Sequence, residues 1–251
     1  MIKHYFGGLR RLSVLMLFLA IANLFVASPV GAIVARPQPV NAFVDVPNFN
    51  AGEPQSAPTA ADVSDRVRLI TDEIIAASYP ELRDTDIRIK LFRSESDYFR
   101  ASFSFRRFFF HKKMRYYVLA NPKLVERQAP ENGIRAIIAH ELGHILYFKR
   151  RNRIELLGLI RLLSQDFTIH FEKWADLQAI SRGYGAGLKE YREWLYLHIP
   201  AKKIAEKRRN YYSPEEIDHL ASVLQQHPEK LADWLKHVPK KPLDEIGNDG
   251  L

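Results

Sequence analysis

Two histidines of the sequence, His140 and His144, lie four residues apart with Glu141 between them, which gives the pattern H-E-x-x-H. On a helix, residues four apart project from the same face, so both imidazoles can bind one Zn²⁺ and Glu141 can reach a water molecule on that metal. Apolar residues at positions 137–146 predict that this helix is largely buried. Buried histidines are costly unless they bind a metal or find polar partners, so a pair of hydrogen-bonded core histidines is the alternative interpretation.

A second candidate segment, residues 170–176, is also predicted to be helical. Catalytic zinc sites usually have three protein ligands and leave the fourth position to water. The chain contains no cysteine, so the third ligand must be a histidine or a carboxylate. Glu172 and Asp176 share a helix face, so one carboxylate can bind the metal while the other accepts a hydrogen bond from a ligand histidine. A solvated acidic face is the alternative for this pair, and His170 is interpreted as a structural histidine.

The two segments carry the motifs His140-Glu141-Leu142-Gly143-His144 and Glu172-x-x-Ala175-Asp176, followed by Ala179 and Gly183-Tyr184. In these motifs the chain resembles the gluzincin metallopeptidases, particularly the soluble minimal versions of the HtpX and prenyl-protein protease group. The resemblance covers about a quarter of the chain, residues 121–187. It implies one Zn²⁺ per chain with His140, His144 and Glu172 as ligands. It also implies Glu141 as general base and acid, and Asp176 as the partner that orients a ligand histidine.

The function that the resemblance implies is that of a zinc-dependent endopeptidase. Such an enzyme would hydrolyse peptide bonds of extracytoplasmic polypeptides through a zinc-bound water activated by Glu141. The alternative is a non-catalytic binding protein of the zincin fold at the cell envelope. No membrane-spanning segment follows the motif, so the substrate class of the integral-membrane relatives does not transfer. Five residues are candidates for the hydrogen-bond donor that stabilises the oxyanion: Tyr184, Tyr191, His198, Tyr211 and Tyr212.

The N-terminal region has the pattern of a targeting segment. Lys3, Arg10 and Arg11 precede an apolar run at residues 12–27, and the small residues of Val30-Gly31-Ala32 follow. This predicts a signal peptide over residues 1–32, with an uncleaved N-terminal anchor as the alternative. In both cases the rest of the chain is extracytoplasmic, either periplasmic or secreted, and an anchor would tether it to the inner membrane.

A proline-rich linker is predicted over residues 33–61 and a zinc metallopeptidase domain over residues 62–251. The predicted fold class is α+β and zincin-like, mostly helical, with a small sheet on the N-terminal side and an active-site helix that carries H-E-x-x-H. A helix capped by Asp62 or Ser64 is expected first. Strands are expected at residues 87–91 and 115–120, followed by a helix capped by Asn132 that reaches Tyr147. By resemblance, the strand that ends at Ala120 would be an edge strand that pairs with extended substrate.

The composition limits the class of partner. With 47% apolar and 26% charged residues, the chain of 251 residues is neither disordered throughout nor a multi-pass membrane protein. The net charge is +8, and it falls to +5 without the first 32 residues, which contain three Lys or Arg and no acid. A small positive net charge without a basic arm predicts no nucleic-acid partner. The expected partner is a polypeptide substrate.

Two stretches combine apolar and basic residues and leave a contact with a membrane surface open. The aromatic residues at 103–110 precede His111, Lys112 and Lys113, and they predict either a hairpin that fills the core or a flap on a membrane or substrate. A basic cluster at residues 149–153 precedes an apolar helix at residues 154–163. Core packing, contact with an anionic membrane and a lid over the cleft are the interpretations of this helix.

Overall fold

A computed structural model of the protein describes residues 59–157 and 164–245. The predicted signal peptide or anchor, and the predicted linker as far as residue 58, lie outside the described residues, so both stay predictions. Within the described ranges, no helix is long and apolar enough to cross a membrane.

The described chain is mostly helical and carries a small sheet, which confirms the α+β class. The strands are β1 (Ile87–Leu91), β2 (Phe99–Phe103) and β3 (Tyr116–Ala120). The helices are α1 (Ala60–Ser78), α2 (Phe105–Phe109), α3 (Lys123–Glu126), α4 (Glu131–Lys149), α5 (Arg153–Leu157), α6 (Gln165–Ala179), α7 (Gly185–His198), α8 (Ala201–Asn210), α9 (Pro214–Gln226), α10 (Lys230–Trp234) and α11 (Pro242–Glu245). A 3₁₀ turn (Pro80–Leu82) follows α1, and a π-helical turn (Ile180–Tyr184) joins α6 to α7.

The sheet has the strand order β1-β3-β2, with β1 parallel and β2 antiparallel to β3. The register pairs Ile87 with Tyr116, and Phe99 with Ala120. Both predicted strands are therefore present. The central place of β3 agrees with its burial, because four of its five residues are buried. The expectation that the strand ending at Ala120 is an edge strand is wrong: among the described strands, β1 and β2 form the edges.

The aromatic stretch before the basic residues does not form the expected hairpin. Phe103 ends β2, a strand that we did not predict, and the chain then turns into α2. The Ser104 side chain accepts a backbone N–H in the first turn of α2, so this short helix has a good N-cap. Phe103 and Phe108 are buried in the core, whereas Phe109 and Phe110 are exposed. The core interpretation therefore holds for only part of this stretch.

Two predicted helix starts are corrected by the capping geometry. The N-cap of α1 is Thr59, whose side chain and that of Asp62 form a reciprocal pair of hydrogen bonds to the first turn. Asp62 and Ser64 therefore both lie inside the helix. α4 follows Pro130 without a side-chain cap, so Asn132 lies in its first turn and is not the N-cap. α4 also extends two residues beyond its expected end, to Lys149.

α4 lies in the core, where it packs against α1, α6, α7 and β2, and its residues 136–148 are all buried. Two glycines allow this close packing. A side chain at Gly187 of α7 would overlap the backbone of Asn132, and one at Gly143 would press on Ala175 of α6. Because glycine has no Cβ, α6 and α7 can approach α4 at these points. The contact at Gly143 brings the histidine face of α4 against α6.

Glycine and proline residues separate the helices in the second half of the described chain. Gly183 has φ 89°, a left-handed conformation that glycine adopts easily, and it lies in the π-helical turn between α6 and α7. Pro200 precedes α8 and Pro214 is the first residue of α9, where the missing backbone N–H costs nothing. Pro228 lies between α9 and α10.

The apolar helix predicted at residues 154–163 is described only over its first turn. Leu156 is buried, whereas 80% of Ile154 and 37% of Leu157 are exposed. The first turn therefore packs one side chain into the core and presents two to the surface. Residues 158–163 lie outside the described ranges. Core packing, membrane contact and a lid therefore stay open as interpretations of this helix.

Candidate metal centre

The two histidines of the H-E-x-x-H pattern lie side by side on the buried face of α4. Only 1% of His140 and 5% of His144 are exposed. Their ring centroids are 4.7 Å apart and the rings are nearly perpendicular. This is the arrangement that the spacing of four residues predicts. Phe171 stacks on His144 with a centroid distance of 4.1 Å, which fixes the plane of that imidazole.

Glu172 completes a cluster of three ligand atoms. Its Oε2 lies 3.0 Å from His144 Nε2 and 3.3 Å from His140 Nε2, and all the ligand atoms of the three residues are within 4.8 Å of one another. Two donors bound tetrahedrally to one metal at about 2.1 Å each lie about 3.4 Å apart. The cluster of His140, His144 and Glu172 therefore has the dimensions of a site that could hold a metal ion, and the structure brings together the three residues expected as ligands.

Asp176 lies behind the cluster and is fully buried. Its Oδ1 is 2.8 Å from His140 Nδ1, so the proton of that imidazole is held on Nδ1 and Nε2 is left to face Glu172 and His144. This is the contact that the expected orienting role of Asp176 requires. The solvated acidic face considered for Glu172 and Asp176 is wrong, because both carboxylates point into the protein.

A residue that sequence reasoning missed, Arg192 of α7, compensates the charge of Asp176. Its Nη2 lies 3.1 Å from Asp176 Oδ1, and its side chain is 1% exposed. The backbone N–H of Tyr212 donates to Asp176 Oδ2 at 3.0 Å. Both groups are distant in sequence from the motifs. The signal that could have pointed to Arg192 is a lone arginine between the apolar residues Tyr191 and Trp194.

The charges around Glu172 and Asp176 favour their ionised forms in spite of burial. Burial raises the pKa of Glu172, but the two histidines outweigh it and hold the pKa well below the usual value. Burial likewise opposes the ionisation of Asp176, whereas Arg192 and His140 lower its pKa overall. Burial disfavours the charged form of His140, but Asp176 and Glu172 raise its pKa to about 10. A metal that binds His140 would have to displace a proton, so metal affinity is expected to increase with pH.

Glu141 differs from these carboxylates in having a free oxygen. It is 4% exposed, and its Oε2 has no hydrogen-bond partner among the described residues. Burial raises its pKa, and the neighbouring histidines and the backbone of Ala101 on β2 oppose this effect. Buried polar atoms are rarely left without a partner, so the free Oε2 indicates a place where a water molecule or a substrate group binds.

Tyr211 is the candidate oxyanion donor whose ring lies against the cluster. Its ring centroid is 5.9 Å from that of His140, and the guanidinium of Arg192 lies 4.5 Å from the Tyr211 centroid. Burial and the negative charge of Glu172 raise the pKa of Tyr211 well above 10. The hydroxyl therefore stays protonated at neutral pH and can act as a hydrogen-bond donor.

The other four candidates have contacts away from the cluster. The Tyr184 hydroxyl is 3.1 Å from Ser78 Oγ, and the Tyr212 hydroxyl donates to Pro239 O at 2.8 Å. His198 Nδ1 lies 2.7 Å from Trp194 O. The buried ring of Tyr191 packs on Trp194 with a centroid distance of 5.7 Å. His170 is half-buried and is not part of the cluster, in agreement with its interpretation as a structural residue.

Replacing Glu172 with glutamine should remove the metal. The substitution keeps the size of the side chain but removes the charged ligand oxygen that faces both histidines, so the metal affinity should fall by more than about 100-fold. Metal content by mass spectrometry and competition with a chromogenic chelator measure this loss. The matched control is His170→Gln on the same helix, which should bind metal like the parent protein. Equal metal binding by both variants would exclude Glu172 as a ligand.

The centre combines two imidazole nitrogens with one carboxylate oxygen, the donor set of several catalytic zinc sites. Glu141 lies beside these ligands on the same helix, and Asp176 holds His140 from behind. None of the protein-family models, curated proteins and solved structures with which we compared the chain matches it.

Proposed function

We propose that this protein is a zinc-dependent endopeptidase of the gluzincin type. The observation that carries the proposal is the free Oε2 of the buried Glu141 next to the convergent cluster of His140, His144 and Glu172. A site that only binds a metal has no need of a second carboxylate with an unsatisfied oxygen. That oxygen is what a general base requires.

Zinc is the metal that best fits the donor set. The cluster offers two imidazoles and one carboxylate and no thiolate, which leaves room for one more ligand on a tetrahedral ion. Zinc bound there, one ion per chain, would act as a Lewis acid that polarises the scissile carbonyl and makes water more acidic. Asp176 holds His140 in the tautomer whose Nε2 would be the ligand of such an ion.

Glu141 is assigned to the proton transfers and Tyr211 to the oxyanion. Glu141 accepts the proton of the attacking water at Oε2 and returns it to the leaving amine. Its raised pKa makes the first transfer easier, because burial lowers the cost of the protonated carboxyl relative to the carboxylate. The protonated hydroxyl of Tyr211 is the group that donates a hydrogen bond to the oxyanion.

β2 supplies an edge along which an extended polypeptide can bind. Hydrogen bonds from the Asn121 N–H to Tyr98 O and from the Ser104 N–H to Arg115 O flank the pairing of β2 with β3. In an antiparallel pair these bonds alternate, so the backbone of Ala101 faces away from β3. Ala101 is also the backbone group close to Glu141. A substrate strand added to this edge would carry its peptide bonds past the general base.

The substrates that we propose are extracytoplasmic polypeptides. This part rests on the sequence of residues 1–32, whose basic start and apolar run predict a signal peptide or an anchor. Either would place the metal centre in the periplasm or outside the cell.

The proposal is tested by incubating the zinc-loaded full chain with a library of unfolded polypeptides and sequencing the new termini by mass spectrometry. Cleavage is expected, a strong zinc chelator should abolish it, and one equivalent of zinc should restore it. Cleavage that persists in the chelator would contradict a metal mechanism. A zinc-loaded protein that cleaves no member of the library would instead favour the non-catalytic binding protein.

A further inference from the structure

The end of α2, the turn that follows it and α5 expose four large apolar side chains to solvent. Phe109 is 48% exposed and Phe110 is 68% exposed, while Ile154 and Leu157 of α5 are 80% and 37% exposed. Basic residues accompany them. We call these four apolar residues, together with the exposed Arg106, Lys112 and Lys113, the aromatic-basic surface.

Arg153 joins the two parts of the aromatic-basic surface. Its guanidinium donates to the carbonyl oxygens of Arg107 at 3.2 Å and of Lys112 at 2.7 Å, and also to that of Phe108. The first residue of α5 is therefore fixed to the turn that follows α2. Because Ile154 and Leu157 are three residues apart, they share the exposed face of α5.

The turn that carries Phe110 is held in a defined conformation. His111, which follows it, has φ 52°, in the left-handed region that non-glycine residues rarely adopt. Backbone hydrogen bonds fix this turn, from the Phe110 N–H to Arg106 O at 3.1 Å and from the Lys112 N–H to Arg107 O at 3.0 Å. The exposure of Phe110 is thus built into the folded backbone.

The charges along the segment that carries Phe109 and Phe110 are of one sign, whereas α5 has one exposed acid, Glu155, between Ile154 and Leu157. The segment from residue 105 to residue 115 contains five Lys or Arg and no acid. Lys112 and Lys113 are both exposed. Exposed aromatic and aliphatic tips with a cationic rim complement a bilayer that has anionic headgroups over an acyl interior. The sequence continues after Leu157 as Gly-Leu-Ile-Arg-Leu-Leu, which is again apolar and basic.

We propose that the aromatic-basic surface docks the protein on an anionic phospholipid bilayer. Phe109, Phe110, Ile154 and Leu157 enter the boundary between headgroups and acyl chains, while Lys112 and Lys113 contact lipid phosphates. The proposal rests on this surface alone and holds whether or not the metal centre hydrolyses peptides.

Aromatic packing connects the docking surface to the metal centre. The ring of Phe103 contacts those of Phe108 and Phe148, with centroids 5.8 and 5.4 Å apart. Phe148 contacts Phe171, which stacks on His144. If the metal centre hydrolyses peptides as proposed above, docking by this surface would favour membrane-proximal segments of other proteins as its substrates.

The absence of cysteine allows a site-by-site test on the full chain. Phe110→Cys and Ile154→Cys, each labelled with an environment-sensitive fluorophore, are mixed with vesicles that contain roughly 30% phosphatidylglycerol in phosphatidylcholine. Leu197→Cys is the control, because Leu197 is as exposed as Ile154 but lies on α7. Both surface labels should shift to the blue and be quenched by brominated lipids at least about twofold more than the control.

The control separates docking by this surface from attachment through the N-terminal segment, since every variant retains residues 1–58. Circular dichroism checks the folding of each variant, and the two test positions lie on different segments. Lys112→Glu combined with Lys113→Glu should reduce the quenching at both positions, as should high salt. Surface labels that respond like Leu197 on vesicle-bound protein would overturn the proposal. Equal responses with pure phosphatidylcholine would overturn the assignment to an anionic bilayer.

Discussion

Replacing Glu141 with glutamine is expected to lower the rate of peptide hydrolysis by about 100- to 10,000-fold, the range that general acid–base catalysis contributes. Glutamine has nearly the same size but cannot accept a proton from water at neutral pH. The ligands His140, His144 and Glu172 are untouched, so the zinc content should stay at that of the parent protein. Turnover of the cleaved library peptides and metal content, measured on the same preparations, separate the two properties.

The matched control for this variant is Glu131→Gln, at the N-terminal end of the same helix. Glu131 pairs with Arg66 and is distant from the cluster, so its replacement should leave the hydrolysis rate unchanged. A Glu141→Gln protein that hydrolyses peptides at the parent rate would exclude Glu141 as the general base. If that protein also lost its metal, Glu141 would be a structural part of the centre instead.

Replacing Asp176 with asparagine is expected to reduce the free energy of unfolding by about 3–5 kcal/mol, because it leaves Arg192 charged and unpaired in the core. Asp176 also fixes His140 at 2.8 Å, so metal affinity should fall by about 10- to 100-fold. Urea unfolding measures the first effect and chelator competition measures the second. Asp166→Asn, at the exposed start of the same helix, should change stability by less than about 0.5 kcal/mol.

A double-mutant cycle tests the physical reason for this loss. Arg192→Met removes the charge that Asp176 compensates, so the two substitutions together should cost less stability than the sum of their separate effects. Additive effects would show that Asp176 and Arg192 do not act as a pair. Unfolding of Asp176→Asn at the urea concentration of the parent protein would contradict the expected burial cost.

The helices that carry the ligands could be predicted because their information is local. His140 and His144, like Glu172 and Asp176, are four residues apart, and this spacing determines a shared helix face before any tertiary contact forms. The α+β class followed from similarly local patterns, such as the alternation of apolar and basic residues from Ile87 to Leu91. The identity of the metal and the reaction stay predictions from the motif.

The missed features depend on contacts between distant parts of the chain. Arg192 follows Asp176 by 16 residues, and the Tyr212 N–H follows it by 36, so no local pattern pairs them. The sequence of β2 contains a strand pattern, since Phe99 and Phe103 alternate with polar residues around Ala101. The aromatic residues at 103–110 were interpreted as a hairpin instead. The central place of β3 depends on both of its neighbours and could not be read from its own residues.

Transplanting this centre into another scaffold would require more of the chain than the two helices that carry the motifs. The Asp176 carboxylate is shared by His140 of α4, Arg192 of α7 and the backbone of Tyr212 between α8 and α9. A graft of α4 and α6 alone would carry the three proposed ligands but would bury the Asp176 carboxylate without the positive charge of Arg192. A transplanted segment would therefore have to extend from the start of α4 to Tyr212. The two helices that carry the motifs do not contain every partner of Asp176.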